Sequence, residues 1–215
     1  MVMSKDLGKI KDAIIGGKHK EVEDLVKAAI KADVNLNSII KDAMIAAMDI
    51  VGQKFADREI FVPEMLVSAV TMKKGLDIIK PLLQDDTSES KGTIMMCTVK
   101  GDMHDIGKNL VTMMLEGAGF NVIDLGVDLG VEKVIEQVEQ VQPDILGLSA
   151  LLTTTMPEMK KVIEALEEKR LRNNVKVIIG GAPVDVAFAQ KIGADGYGKD
   201  ATEAVKQARM LISES

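Results

Sequence analysis

Four short apolar runs in the second half of the chain constrain its fold more than any other feature. They are TIMMCTV at 93–99, NVIDLG at 121–126, DILGLSA at 144–150 and VKVIIGG at 175–181. Their apolar residues are consecutive rather than alternating, as in parallel strands covered on both faces. Helical stripes near 107–118, 131–140, 156–172, 184–192 and 200–213 lie between and after them, and GYG at 196–198 reads as a very short fifth strand. Strand and helix alternating in this way predict a doubly wound, five-stranded parallel α/β domain, whose ligand belongs beyond the carboxyl ends of the strands. The unusual loops, 101–107, 149–155, 180–183 and 196–199, all fall at that edge.

Before residue 84 the period is helical throughout. Leu7, Ile10 and Ile14 make one stripe, and Val22, Leu25, Val26, Ala29 and Ile30 a second. Ile39, Ile40, Ala43, Ala47, Ile50 and Val51 make a third, and Met65, Leu66, Ala69, Val70, Leu76 and Ile79 a fourth. Gly16 and Gly17 separate the first two, and Pro63 suits a first helical turn. Four short-linked amphipathic helices predict an all-α four-helix bundle. The polar, small-residue stretch after it is a linker. The expected domains are a bundle at 1–83, a linker at 84–91 and the α/β domain at 92–215.

Composition narrows the function. Aromatic residues are 2% of the chain and Trp is absent, which argues against base stacking on aromatic platforms. The net charge is −6 with no basic stripe, which argues against nucleic acid and anionic membrane as partners. No apolar stretch approaches a bilayer span, and MVMSKDLGKIKDA lacks the apolar centre of a signal peptide. The lone Cys97 excludes a disulfide framework and fits a reducing cytoplasm.

The loop after the first strand reads VKGDMHDIGKNL. His104 could be a helix cap or a solvated loop residue, the reading given to His19 among its lysines. Asp102, however, is placed to hold one ring nitrogen of His104 and leave the other free to bind a metal or move a proton. With two histidines and one cysteine in the chain, an all-protein zinc site is short of donors. A Mg²⁺ site on Asp102 and Asp105 is conceivable, but the third strand ends in Ser149 where a phosphoryl receiver needs a carboxylate. A single strong donor makes best sense if the metal brings its other ligands, as a macrocycle does. The hydroxyl row in SALLTTT at 149–155 and the open path at Gly180, Gly181, Ala182 and Pro183 describe a slot for a long nucleotide-like tail. Haem has no such tail; a corrinoid does.

These residues resemble the cobalamin-binding corrinoid proteins of methanol-, methylamine- and betaine-type methyltransferase systems, which are similar to the cobalamin module of methionine synthase. The family pattern DxHxxG, SxL, GG appears as Asp102-Met103-His104-Asp105-Ile106-Gly107, Ser149-Ala150-Leu151 and Gly180-Gly181. DxHxxG alone arises by chance in about a per cent or two of chains this long; all three in register do not. KFADREIFVPEM at 54–65 looks like the family's cap segment, so the resemblance spans almost the whole chain.

The resemblance implies a flavodoxin-like, Rossmann-like cobalamin-binding domain behind a helical cap. It makes His104 the axial ligand of cobalt, with Asp102 and Thr155 extending a proton relay. Ser149 and Leu151 would line the tail slot, with Gly107, Gly180 and Gly181 giving the tail room, and Met103, Asp105, Ile106 and Thr153 would also bind the cofactor. Tyr197 would meet the nucleotide or be a plain edge residue; Phe55 and Val62 would cover the methyl group or belong to the bundle core. The implied cofactor is cobalamin or a related corrinoid, as methylcobalamin in turnover. The implied role is a methyl carrier, not catalytic alone, working with a substrate-specific methyltransferase, an acceptor methyltransferase that serves tetrahydrofolate or coenzyme M, and a reductive activase. A cobalamin-dependent sensor is the alternative, though it would need an output module.

Overall fold

The computed structural model describes residues 2–82 and 91–213. The chain folds as two compact units, one of the helices up to residue 82 with Glu116–Gly119, the other of Lys91–Leu115 and the chain from Phe120 onward. The linker expected at 84–91 lies, apart from Lys91, outside the described residues. Among the described residues no helix is long and apolar enough to cross a membrane.

The helical unit contains α1 (Val2–Ile15), α2 (His19–Lys31), a third rod, and α5 (Val62–Ile79), which a short 3₁₀ turn follows. The rod is composite: α3 (Leu36–Ser38), a π-helical segment (Ile39–Ile45) and α4 (Ala46–Ala56) run on from one another. Four rods stand as expected, but the π segment changes the phase of the third. Its wider turn carries Met44 and Met48 into the core beside Ile39, Ala43, Ala47 and Val51. Ile40 is then only half-buried and Ile50 is exposed, against the 3.6-residue expectation. On α5 the buried face runs through Met65, Ser68, Ala69, Met72 and Ile79, leaving Val70 exposed.

His19 departs from its expected solvated state. Its Nδ1 lies 2.6 Å from the Thr71 hydroxyl, which itself donates to the Val67 carbonyl at 2.7 Å. Thr71 is fully buried, so this bond ties α2 to α5 inside the unit.

In the α/β unit the strands are β1 (Thr93–Thr98), β2 (Asn121–Asp124), β3 (Ile145–Ser149), β4 (Lys176–Gly180) and β5 (Gly196–Gly198). All pair in parallel in the order β2-β1-β3-β4-β5. Helices α6 (Ile106–Gly117), α7 (Val131–Val141), α8 (Met156–Glu168), α9 (Val186–Ile192) and α10 (Ala201–Ser213) make the connections and the final cover. The strands start or end one or two residues inside the expected runs because their last apolar residues turn into loops. The order reverses between β1 and β3, the point at which such sheets bind ligands. Register then does the positioning: Thr98 pairs with Ser149, Ser149 with Gly180, and Gly180 with Gly198, one transverse row along the carboxyl edge. Three motifs far apart in sequence therefore end at one level.

Candidate corrinoid site

Beyond β1 the chain turns at Gly101, whose φ of +81° suits glycine. Asp102 follows with no exposed surface. An ionised carboxylate in that position needs donors on every side, and it has them. Its Oδ1 accepts from the His104 backbone N–H at 3.1 Å and from His104 Nδ1 at 2.8 Å. Its Oδ2 accepts from the N–H groups of Leu151 and Leu152 at 2.7 and 3.2 Å and from the Thr155 hydroxyl at 2.8 Å. Burial by itself would raise the Asp102 pKa. The Leu151 and His104 N–H groups, the imidazole and the Thr155 hydroxyl outweigh it and hold the carboxyl well below the usual range.

An ionised carboxylate only accepts, so His104 Nδ1 carries the proton and Nε2 is left with its lone pair. The imidazole side chain is 51% exposed, so that nitrogen is accessible. With five donors on Asp102, that carboxylate has no lone pairs left to share a Mg²⁺ with Asp105. Among the described residues no group of three or more His, Cys, Asp or Glu side chains could hold a metal ion. Cys97 is no ligand either: burial pushes its thiol up to about 12, with Lys108 pulling weakly the other way and Asp124 adding to the rise.

Apolar side chains accompany this single donor where a soluble protein would ordinarily place polar ones. Met103 is 68% and Ile106 80% exposed on either flank of His104, and Leu151 and Leu152, whose N–H groups hold the same carboxylate, are also exposed. Asp105 accepts from Asn109 at 3.0 Å. Gly107 sits in the first turn of α6, where an added Cβ would meet nothing within 4 Å. One imidazole in an apolar apron, with open space beside it, fits a flat macrocycle that carries its own equatorial ligands.

Across the edge, Ser149 ends β3 and Thr153 is exposed in the following turn, while Thr155 is buried at the start of α8. A Cβ on Gly180 would lie 2.9 Å from the Gly198 carbonyl oxygen, and one on Gly181 (φ +129°) would lie 1.8 Å from that of Ala150. These two glycines are thus required by the protein's own backbone, whatever room they also leave for a ligand. Tyr197 packs against the sheet core and walls a pocket of about 470 Å³ between α9 and α10 that also involves Gln190, Lys199 and Glu203. In the helical unit, Phe55 is half-buried near the end of α4 and Val62 exposed at the start of α5, so neither is bundle core. Phe61 beside Val62 is more exposed still.

Other contributors carry no sign in the sequence pattern. Asp128 accepts from the Gly101 N–H at 2.7 Å while its own N–H donates to the Asp102 carbonyl, which fastens the β2–α7 loop to the histidine loop. Asp128 does so with φ +56°, a conformation aspartate tolerates better than most residues. Thr98, fully buried, donates to the His104 carbonyl at 3.0 Å.

A doubly wound domain that offers one oriented imidazole at its switch point, in an apolar apron beside a glycine-lined edge, defines a corrinoid-binding protein. Residues 92–206 match the family described as B12 binding domain, and residues 7–80 match a second family of that description. The chain is 43% identical over 214 residues to a dimethylamine corrinoid protein of Methanosarcina barkeri, covering 98% of this chain and 100% of that one. It is 40% identical over 217 residues to a corrinoid protein of Desulfitobacterium hafniense, covering both chains completely. Among solved structures it is similar to the methanol:cobalamin methyltransferase complex from Methanosarcina barkeri. There the TM-score is 0.88 at 33% identity, over 98% of this chain and 81% of that one. The chain belongs to the corrinoid protein family built on the B12 binding domain.

Proposed function

We propose that this chain is a corrinoid methyl carrier. It receives a methyl group from a substrate-specific methyltransferase and presents it to a second methyltransferase serving tetrahydrofolate or coenzyme M, in the cytoplasm, with a reductive activase to restore it. The observation that carries this reading is the His104 imidazole, oriented through Nδ1 by the buried Asp102 carboxylate and open at Nε2. Bound, the corrinoid supplies the methyl-accepting and methyl-donating chemistry of its cobalt.

The protein's share is control of one axial position. Asp102 fixes the tautomer and direction of His104, holding the proton on Nδ1 and leaving the Nε2 lone pair to ligate. The 2.8 Å bond from Nδ1 to Asp102 holds the ring in this orientation whether or not Nε2 is ligating. Thr155 keeps the carboxylate in place from its far side. Met103, Ile106 and Leu151 shield the macrocycle from water; Ser149, Thr153, Gly180, Gly181 and Tyr197 serve the tail. In the helical unit, Phe55 and Val62 are the residues we propose as cover for the methyl group. The names of the relatives support the reading, since one is a dimethylamine corrinoid protein and another belongs to a methanol:cobalamin methyltransferase complex.

The test is electron paramagnetic resonance of the cobalt(II) holoprotein, prepared with natural and with ¹⁵N-histidine-labelled chain. Axial ligation by His104 changes the nitrogen superhyperfine pattern from a triplet to a doublet on labelling, and His104→Ala abolishes the response. A pattern indifferent to the label would refute the assignment.

A further inference from the structure

Lys108 is 2% exposed, one turn into α6 from the histidine loop, and its ammonium group pairs with the partly exposed Asp124 at the end of β2. A buried ion pair is a poor device for stability, because apolar residues of the same volume usually do as well. What it provides is direction, since an ammonium withdrawn from water holds its partners strictly. The partners here lead back to one place.

Lys108 Nζ also donates to Asn109 Oδ1 at 2.7 Å, and Asn109 Nδ2 donates to Asp105 Oδ2 at 3.0 Å; Asp105 directly follows His104. From the other side, Asp124 Oδ1 accepts from the Gly126 N–H at 2.9 Å. The Gly126 carbonyl accepts from the Thr98 N–H at 3.0 Å, and the Thr98 hydroxyl donates to the His104 carbonyl at 3.0 Å. The circuit leaves the loop at Asp105, passes through Asn109, Lys108, Asp124, Gly126 and Thr98, and returns to the His104 backbone. Asp102 fixes the direction of the imidazole; this second circuit fixes the height of the backbone that carries it. We infer that Lys108 is a positioning residue for His104, acting through Asn109 and Asp124, a role that rests on His104 being the axial ligand.

Two variants separate positioning from folding. Lys108→Met removes the ammonium from the circuit. Asn109→Leu leaves the Lys108–Asp124 pair intact and removes the side-chain bonds of Asn109 to Lys108 and Asp105, while the Asn109 N–H still reaches the Asp105 carbonyl. In the chain without corrinoid, solvent exchange of the His104 amide should quicken at least tenfold in both variants, while the amides of Leu146 and Leu148 in β3 keep their protection in Asn109→Leu. In the cobalt(II) holoprotein, the fraction showing histidine superhyperfine coupling should fall at least threefold in Lys108→Met and detectably in Asn109→Leu. Unchanged His104 exchange in Asn109→Leu would overturn the inference, as would exchange that rises only in step with the β3 amides. A wild-type holoprotein without histidine coupling would instead sink the ligand assignment and leave the exchange result standing as a property of the loop.

Discussion

Replacing Asp102 by asparagine keeps the size of the side chain but turns one of its two oxygens into a donor. Oδ2 receives three donors, from Leu151, Leu152 and Thr155, whereas Oδ1 receives two, both from His104. The amide therefore settles with its oxygen towards Leu151 and its NH₂ towards His104. Two consequences follow. The His104 backbone N–H now faces a donor, which costs about 1–3 kcal/mol of stability for a lost acceptor in a partly buried position. The imidazole is pushed into the other tautomer, since Nδ1 now accepts and the proton moves to Nε2, the nitrogen proposed to ligate. Returning the ring to a ligating form means giving up the new bond and setting donor against donor. That costs about 1.5–3 kcal/mol, or a factor of roughly 10–150 in the ligated fraction.

The tautomer can be read without any cofactor, from ¹⁵N spectra of the histidine rings in the apoprotein. The chain has only two histidines, and His19, held by Thr71, is the internal control. Asp102→Asn should convert the His104 ring from Nδ1–H to Nε2–H and leave His19 as it is, with thermal unfolding lowered by several degrees. A His104 ring that stays Nδ1–H in the variant, with histidine ligation in the holoprotein undiminished, would refute the reasoning.

Other consequences of the geometry are as direct. Gly181→Ala should fail to fold or lose more than about 3 kcal/mol, because its Cβ would strike the Ala150 carbonyl oxygen at 1.8 Å and its φ is positive; a melting curve close to wild type would contradict this. Gly107→Ala should do the reverse in the apoprotein, gaining up to about 1 kcal/mol since its Cβ meets nothing, while corrinoid affinity falls because the new methyl intrudes on the macrocycle's space; equal or tighter binding would remove Gly107 from the site. The acid limb of stability carries Asp102's signature. Its folded pKa lies below its unfolded one, so its contribution is complete above about pH 5 and is lost progressively as the pH falls towards the folded value. Urea unfolding between pH 6 and 2 should show a slope steeper than in Asp102→Asn by up to one proton, about 1.4 kcal/mol per pH unit, and parallel curves would show that Asp102 does not titrate as described.

How much of this was legible in the sequence depended on whether a feature repeats locally or is made across the fold. The strands and the doubly wound order follow from consecutive apolar runs such as IMMCTV and VKVIIG, each of which can be buried in only one way. His104, Asp102 and their bond could be anticipated because they lie two residues apart. The third helical rod was misphased because nothing in Ile39–Ile45 announces a π turn, and the wider turn is visible only once Met44 and Met48 are packed. His19 looked solvated because its partner, Thr71, lies on another helix. In the sequence Gly180 and Gly181 suggest room for a ligand, yet the nearer constraint is the Gly198 and Ala150 carbonyls, which only strand register brings close. Asp128 and Lys108 escaped notice for the same reason: their partners, Gly101 and Asp124, are set by the pairing of β1 with β2.

The same register explains how the site can be complete before its cofactor arrives. Burying the Asp102 charge without donors would cost several kcal/mol, which would leave the loop disordered. Two of its five donors come from His104 itself, but three come from the segment after β3, and they reach it only because Thr98 and Ser149 stand side by side. Pairing of β1 with β3 and assembly of the carboxylate's shell are therefore one event, and the energy that closes the sheet also orients the imidazole. The incoming corrinoid then meets a donor already aimed, with no ordering entropy left to spend on His104. Its affinity can rest on the apolar apron and the glycine-lined edge, while the proposed bond to His104 need not carry it.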